Sequence, residues 1–463
     1  MARKARSTFV CSACGSESPR WEGRCPHCGD WNTLNEAAPT VGPKRGSWAG
    51  QVASEPVRLR EVRIEDHPRT TFESSEVNRV LGGGLVPGSV TLVAGDPGIG
   101  KSTLLLAAAA DAAGQAPVLY VTGEESAAQV KLRADRLGID APELFLLPAT
   151  GLSEIMTRMD EMKPCLVVID SIQTVFDEDL PSEAGSMAQI RECARRLTQW
   201  AKTSGTSVVM TGHVTKGGEI AGPRVLEHVV DVVLYLEGDP VSSFRLLRSV
   251  KNRFGSTNEV GVFEMTEAGL RDVKDPSARL LSHHTEGSVG SVIVPAIEGT
   301  RPILVELQAL TNPSLLPTPR RVASGVDYNR LLLVCAVLTR RAGISLSSQD
   351  VIVNVTGGVR VIETAADLAI ALAIISSVRD VPVNPGTAVF GELGLSGEVR
   401  PVSQPDRRVQ EAGRLGLTAC VVPGGHSLER PTRSLELVQA TTLREAIGGS
   451  MSRSRPKSPV GIV

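Results

Sequence analysis

Short apolar runs alternate with stretches of helical character along most of this chain. Between residues 71 and 275 the runs are Ser89-Val90-Thr91-Leu92-Val93-Ala94, Val118-Leu119-Tyr120-Val121, Leu166-Val167-Val168-Ile169, Ser207-Val208-Val209-Met210 and Val232-Val233-Leu234-Tyr235. Continuous apolar runs of this length lack the in-out alternation of a half-exposed strand. With helices between them, they predict a mainly parallel sheet covered on both faces. Phe244-Arg245-Leu246-Leu247-Arg248-Ser249-Val250 does alternate and is predicted as an edge strand. A second α/β pattern spans 286–449, with strands at Ser291-Val292-Ile293-Val294 and Val351-Ile352-Val353-Asn354-Val355. Its helix from Ala365 to Ser377 is apolar enough to be expected inside. Residues 36–70 hold Ala, Pro, Gly, Ser and charge without a period and read as a linker; the Ser/Arg/Pro-rich residues 450–463 read as a disordered tail. The fold class expected is multidomain α/β.

Composition changes this picture little. The 463 residues leave room for two to four domains, and 41% apolar with 22% charged content is ordinary for a soluble protein. A net charge of −2 gives no global attraction to nucleic acid, so any such binding must come from local patches. The basic start, Met1 to Arg6, is followed by no apolar stretch of signal-peptide length, and no run approaches a membrane span, so a cytoplasmic location without membrane contact is expected.

The chemistry begins at Gly95-Asp96-Pro97-Gly98-Ile99-Gly100-Lys101-Ser102, which fits the phosphate-binding loop pattern between a strand and an alanine-rich helix. Its glycines let successive N–H groups face a phosphate, Lys101 reaches the β/γ oxygens of ATP, and the Ser102 hydroxyl can ligate Mg²⁺; Thr103 follows at the helix start. Asp170, at the end of the apolar run 166–169, has the position of the carboxylate that organises Mg²⁺ through its water shell. Water attack also needs a base. Glu124 and Glu125 stand at another strand end, where adjacent side chains point different ways, so one of them is expected to face the γ-phosphate, Glu124 ahead of Glu125. The competing reading places both in the first turn of a helix.

The cysteines supply a second centre. Four of the eight lie within the first 28 residues, as Cys11-Ser12-Ala13-Cys14 and Cys25-Pro26-His27-Cys28. Two such pairs, each followed by glycine (Gly15, Gly29), predict a closed tetrahedral Zn²⁺ site in a module of residues 1–35. His27 sits inside the second pair and is expected to be a bystander. So small a module buries little, and the metal is expected to supply its folding energy. Trp21 and Trp31 suit a nucleic-acid or protein contact, or packing on the metal site.

The lead-in Leu81-Gly82-Gly83-Gly84-Leu85-Val86-Pro87-Gly88, joined to this phosphate loop, resembles the RecA/DnaB superfamily of ATPases. Lys251-Asn252-Arg253-Phe254-Gly255 resembles the signature of its RadA (Sms) branch of bacterial DNA-repair proteins, as does the four-cysteine module. The resemblance implies a RecA-like ATPase domain over 71–275 and a homo-hexamer acting on single-stranded and branched DNA beside a recombinase filament. The activity implied is branch migration in homologous recombination, with Glu124 on the catalytic position. It also implies that His213 senses the γ-phosphate and that Lys216 and Arg224, in the stretch 214–227, belong to a DNA-binding loop; a core histidine and a surface hairpin are the plainer readings. Lys251 and Arg253 would share one strand face with no acid between them, which favours an anion opposite. In a ring they are expected to reach the neighbour's nucleotide as trans-acting fingers; direct DNA contact is the alternative.

Residues 286–449 resemble the Lon proteolytic domain through the stretch from Thr356-Gly357-Gly358 to Asp367-Leu368, with Gly391-Glu392 and Gly397-Glu398-Val399-Arg400-Pro401. Its serine position matches Ala365 and its lysine position matches Asp406, and no lysine stands between Asp275 and Pro456. A Ser–Lys dyad is therefore impossible inside this domain. Sixteen arginines against fifteen acids in 276–449 mark no DNA patch. Two readings compete with a DNA motor: a signalling ATPase of the circadian-clock kinase type, and a zinc-ribbon adaptor whose ATPase regulates docking.

Overall fold

A computed structural model describes residues 8–14, 16–18, 20–37, 58–61, 68–213, 226–238, 243–282, 284–425 and 435–451. Lys216 and Arg224 lie outside these residues, as do most of the expected linker and tail. The chain divides into two compact units. The first comprises Met1–Glu237, Leu246–Thr257 and Met265–Asp272, and the second Gly238–Arg245, Asn258–Glu264 and Val273–Val463. Two short stretches expected in the ATPase domain thus group with the second unit. Within that unit Thr300 N–H donates to the Asn258 carbonyl at 2.7 Å, and Arg279 pairs with Glu264 at 2.7 Å.

At the N-terminal end, β1 (Thr8–Cys11) pairs antiparallel with β2 (Glu17–Ser18) and β3 (Leu34–Ala37). Buried Cys11, Cys25 and Leu34 make its small core, with Phe9, Ala13 and Cys14 against them. So little apolar surface cannot offset the chain entropy of the module, which makes the cysteines its main support. Trp21 and Trp31 are 58% and 69% exposed, and the Arg24 guanidinium lies 5.9 Å from the Trp31 ring centre.

Helix α1 (Ser75–Leu81), capped by Ser74, leads into the principal sheet. Its strands are β4 (Val90–Gly95), β5 (Val118–Thr122), β6 (Leu144–Pro148), β7 (Leu166–Asp170), β8 (Ser207–His213), β9 (Val232–Glu237), β10 (Phe244–Asn252), β11 (Val260–Thr266) and β12 (Gly269–Asp272). They hydrogen-bond in the order β12-β11-β10-β9-β4-β8-β7-β5-β6. From β9 to β6 every neighbouring pair is parallel, as the continuous apolar runs predicted. The alternating run behaves differently. β10 pairs antiparallel with β9 but has β11 on its other side, so it is an interior strand and not the predicted edge. The alternation of residue types is not one of burial, since Arg245 and Ser249 are buried beside Leu246 and Leu247, as in an interior strand.

Between these strands lie α2 (Lys101–Ala113), α3 (Ala127–Arg136), α4 (Leu152–Met162) and α5 (Met187–Ser204). Ile155 and Met159 of α4 and Ile190, Leu197 and Trp200 of α5 close one face of the sheet. Trp200 is buried there with its indole N–H donating to Asp160 at 2.6 Å, which satisfies its one polar atom.

The second unit contains a mixed seven-stranded sheet. Its order is Arg321–Ser324, Gln349–Val355, Arg301–Pro313, Ser291–Glu298, Thr387–Val389, Ala419–Pro423, Glu436–Ala440. Both runs predicted as strands are in it. The apolar helix begins at Asp367 rather than Ala365, after a 3-10 turn Thr364–Ala366, and its residues 367–376 are buried as expected. Asp367 accepts a bidentate pair from Arg330, which lets a carboxylate open a buried helix. Ala365 is buried. The charged side chain that reaches its turn is Arg408, wholly buried and bonded to Glu363 at 2.8 and 2.5 Å and to the Pro295 carbonyl at 2.6 Å. Asp406 sits in the first turn of the helix Pro405–Arg414. Among the described residues no helix is long and apolar enough to cross a membrane.

Candidate functional site

The phosphate loop joins the carboxyl end of β4 to α2, where a parallel sheet and a helix N-terminus present partial positive charge to a ligand. Two positions of the loop require glycine. Gly95 and Gly100 have φ of 155° and 115°, and a Cβ on Gly100 would stand 2.8 Å from Met265 Cε. Asp96, Pro97 and Gly98 are exposed at the crest, while Ile99 is buried beneath them. Ser102 and Thr103 lie in the first turn of α2, half-buried.

Lys101 is only 4% exposed, so it is more deeply set than a solvent-facing phosphate ligand would be. Its ammonium donates to the Gly95 and Asp96 carbonyls, both at 2.9 Å. Burial draws its pKa below the ordinary lysine value, while Asp170, Glu124 and Asp96 oppose the shift. Those three carboxylates therefore surround the cation that would meet phosphate oxygens.

Asp170 ends β7, two strands from β4, and is held from both sides. Tyr120 O–H donates to one oxygen at 2.6 Å and Thr211 O–H to the other at 2.8 Å. Burial first, and then the Asp170 charge, raise the Tyr120 pKa well above its usual value, so the phenol remains a donor. Neither partner had a motif to announce it. The signal lay in position: Thr211 follows Met210, the partner of Ile169, on one neighbouring strand, and Tyr120, opposite Val168 on the other, reaches the carboxylate with its longer side chain.

Glu124 and Glu125 follow β5 and do diverge. The Ser171 hydroxyl donates to Glu124 at 2.5 Å, whereas Glu125 pairs with Arg133 of α3. The helix-start reading fails because α3 begins later. Ser126 is its N-cap and Gln129 closes a capping box, so neither glutamate lies in the first turn. Next to the loop, β8 pairs with β4 so that the His213 backbone lies opposite Gly95.

Lys251 and Arg253 are placed differently from expectation. β10 ends at Asn252, with a register shift between Ser249 and Lys251, so the pair does not continue as one strand face. Both nevertheless reach the segment that returns into β9. Lys251 donates to the Glu227 and Val230 carbonyls at 2.5 and 2.7 Å, and Arg253 donates to Asp231 at 2.8 Å. The anion opposite is thus a buried carboxylate of the same chain, which also accepts from the Val90 N–H at 3.1 Å.

The second centre gathers Cys11, Cys14, Cys25 and Cys28, all four sulfurs within 4.8 Å of one another. Cys11–Cys28 and Cys14–Cys25 are 3.7 and 3.6 Å apart. A tetrahedron with Zn–S bonds of about 2.3 Å has edges of about 3.8 Å, so the residues fit zinc. Backbone N–H of Cys28 and the Ser16 hydroxyl hold the Cys25 thiol down to about 5. Cys28 is favoured by the Asp30 N–H, yet burial and its sulfur neighbours push it up to about 12. Cys11 is also held below the ordinary thiol value, against its burial, by the Thr33 hydroxyl and the backbone N–H groups of Ala13 and Cys14. Thiolates gathered this closely repel one another, which is the electrostatic demand a divalent cation meets. His27 is outside the cluster, as expected, and its backbone N–H donates to Cys25 sulfur at 3.4 Å.

These features define a P-loop ATPase with an N-terminal four-cysteine zinc ribbon and a further α/β domain. Residues 53–219 match the model of an AAA domain, residues 9–36 that of a rubredoxin metal binding domain, and residues 333–426 that of subunit ChlI of Mg-chelatase. The chain is 50% identical to DNA repair protein RadA of Pseudomonas aeruginosa, covering 96% of this chain and 98% of that one. It is 48% identical to its Bacillus subtilis counterpart (97% and 99%) and 46% identical to that of Escherichia coli (96% and 99%). The chain belongs to the RadA family of DNA repair proteins.

Proposed function

We propose that this chain is a cytoplasmic, DNA-dependent ATPase of helicase type that promotes branch migration of recombination intermediates during DNA repair. The observation that supports the reading is the gathering of Lys101, Asp170 and Glu124 at the carboxyl ends of the parallel strands, beside β8, whose last residue His213 pairs with Gly95 of the phosphate loop. In this reading Lys101 meets the β/γ-phosphates, and Ser102 and Asp170 hold Mg²⁺, which when bound would neutralise charge on the transferred group. Glu124 takes a proton from water as the water oxygen bonds to the γ-phosphorus and the bond to the bridging oxygen of ADP breaks. His213 reports the γ-phosphate to a DNA loop containing Lys216 and Arg224. In a homo-hexamer, Lys251 and Arg253 leave Glu227, Val230 and Asp231 and reach the neighbour's nucleotide. Single-stranded and branched DNA and a recombinase filament are the partners, and the Lon-like domain, with Ala365 at the serine position and no lysine, does not cut peptides. The test is steady-state ATP turnover with and without single-stranded DNA, at several salt concentrations. Turnover should rise with DNA, and DNA affinity should fall with salt at a log–log slope of about −0.7 per phosphate neutralised. Turnover indifferent to DNA would leave the signalling-ATPase reading in its place.

A further inference from the structure

We propose that Ser171 is a positioning residue for hydrolysis, aiming the Glu124 carboxylate through a hydrogen bond. The inference rests on Glu124 being the base. Glu124 is exposed and follows the end of its strand, where a carboxylate on a flexible stem samples several rotamers. Ser171 is the opposite, fully buried and fixed by its own backbone. Its carbonyl accepts from the Thr174 N–H at 3.2 Å and from the Thr174 hydroxyl at 2.8 Å, closing a tight turn just after β7. The hydroxyl of so rigid a serine points one way, and its single hydrogen goes to Glu124 at 2.5 Å.

Two further contacts bring the glutamate within reach. Gly123 N–H donates to the Asp170 carbonyl at 3.0 Å, stitching the end of β5 to the end of β7. A Cβ on Gly123 would fall 2.0 Å from the Thr174 hydroxyl, so only glycine lets the backbone lie this close to the serine turn. On the other side, the Thr122 hydroxyl holds Glu125 apart: it donates to the Glu125 carbonyl at 2.7 Å and accepts from the Glu125 N–H at 3.3 Å, and Arg133 takes the Glu125 carboxylate. Adjacent glutamates are thereby sorted, one to α3 and one to Ser171. Since Asp170 precedes Ser171 directly, the metal-organising carboxylate and the support of the base share one rigid turn.

A purely structural serine would fill the same space, so the test separates the two roles. In the full-length protein, Ser171→Ala, Glu124→Gln and the double variant are compared by steady-state and single-turnover ATP hydrolysis, with affinity for a fluorescent ATP analogue measured alongside. Ser171→Ala should lower kcat about tenfold to a hundredfold while KM and analogue affinity stay within about twofold. The double variant should be no slower than Glu124→Gln, because the hydroxyl acts only through that carboxylate. Wild-type kcat in Ser171→Ala, or losses that multiply in the double variant, would overturn the positioning role. Wild-type turnover in Glu124→Gln would instead remove the base assignment itself.

Discussion

At the residue scale, Asp231 sets the terms on which the cationic pair can act. It is buried, it accepts from Arg253 at 2.8 Å, and Lys202 stands 3.8 Å away, so its charge is compensated from within the chain. A buried carboxylate stripped of its partner is costly, which ties movement of Arg253 to rearrangement around β9. If Arg253 acts in trans, mixing Arg253→Ala subunits, intact in Lys101, with Lys101→Ala subunits should restore turnover at mixed interfaces, measured as ATPase activity against the mixing ratio. Such a finger is worth about 10³–10⁵ in rate, so even a minority of productive interfaces is detectable. No recovery in rings shown by light scattering to be mixed would confine Arg253 to its Asp231 contact. The sequence made the phosphate loop, Asp170 and the glutamate pair legible because each is local: a motif or a charge at the end of an apolar run. It could not reveal Asp231, Tyr120, Thr211 or Ser171 as partners, since each lies 20 or more positions from the residue it holds and only strand order brings them together.

At the scale of elements, the parallel strands were legible because burial on both faces erases alternation, whereas β10 was misplaced because alternation alone does not fix sheet position. The helix Pro405–Arg414 shows what sequence spacing cannot. Arg414 at its end makes a bidentate pair with Asp275, 139 positions away, at 2.6 and 2.9 Å. That hydrogen-bonded pair holds Asp275 down to about 2 from an ordinary 3.8. A carboxylate whose folded pKa is depressed adds stability that is complete above the unfolded value and is lost as pH falls through the folded one. The window is therefore about pH 4 down to about pH 2. Both groups are partly exposed, so solvent screening limits the effect to about 1 kcal/mol or less. Arg414→Gln should lower the melting temperature at pH 7 slightly, and the gap to wild type should close as the buffer approaches pH 2; a gap independent of pH would remove the ion pair as its cause.

At the scale of the whole molecule, metal dependence should be local. The cysteine cluster supports a module whose own apolar core is three residues with a few neighbours, while the principal sheet has an extensive core of its own. Chelation, or Cys28→Ala, should abolish about one bound zinc per chain and unfold the ribbon, leaving ATP turnover in the absence of DNA close to wild type. Elemental analysis together with calorimetry checks this, and a melting transition of the ATPase core that moves with zinc content would contradict it. The arrangement of tryptophans offers an optical way to watch these events. Beyond residue 48 the chain contains a single tryptophan, Trp200, enclosed between α5 and the sheet and bonded to Asp160, whereas Trp21 and Trp31 face water on the ribbon. Enclosed indoles emit at shorter wavelength than hydrated ones and are shielded from iodide. Iodide should therefore quench Trp21 and Trp31 ahead of Trp200, and in a Trp48→Phe background the protected blue emission follows the ATPase core, without any label having to be attached.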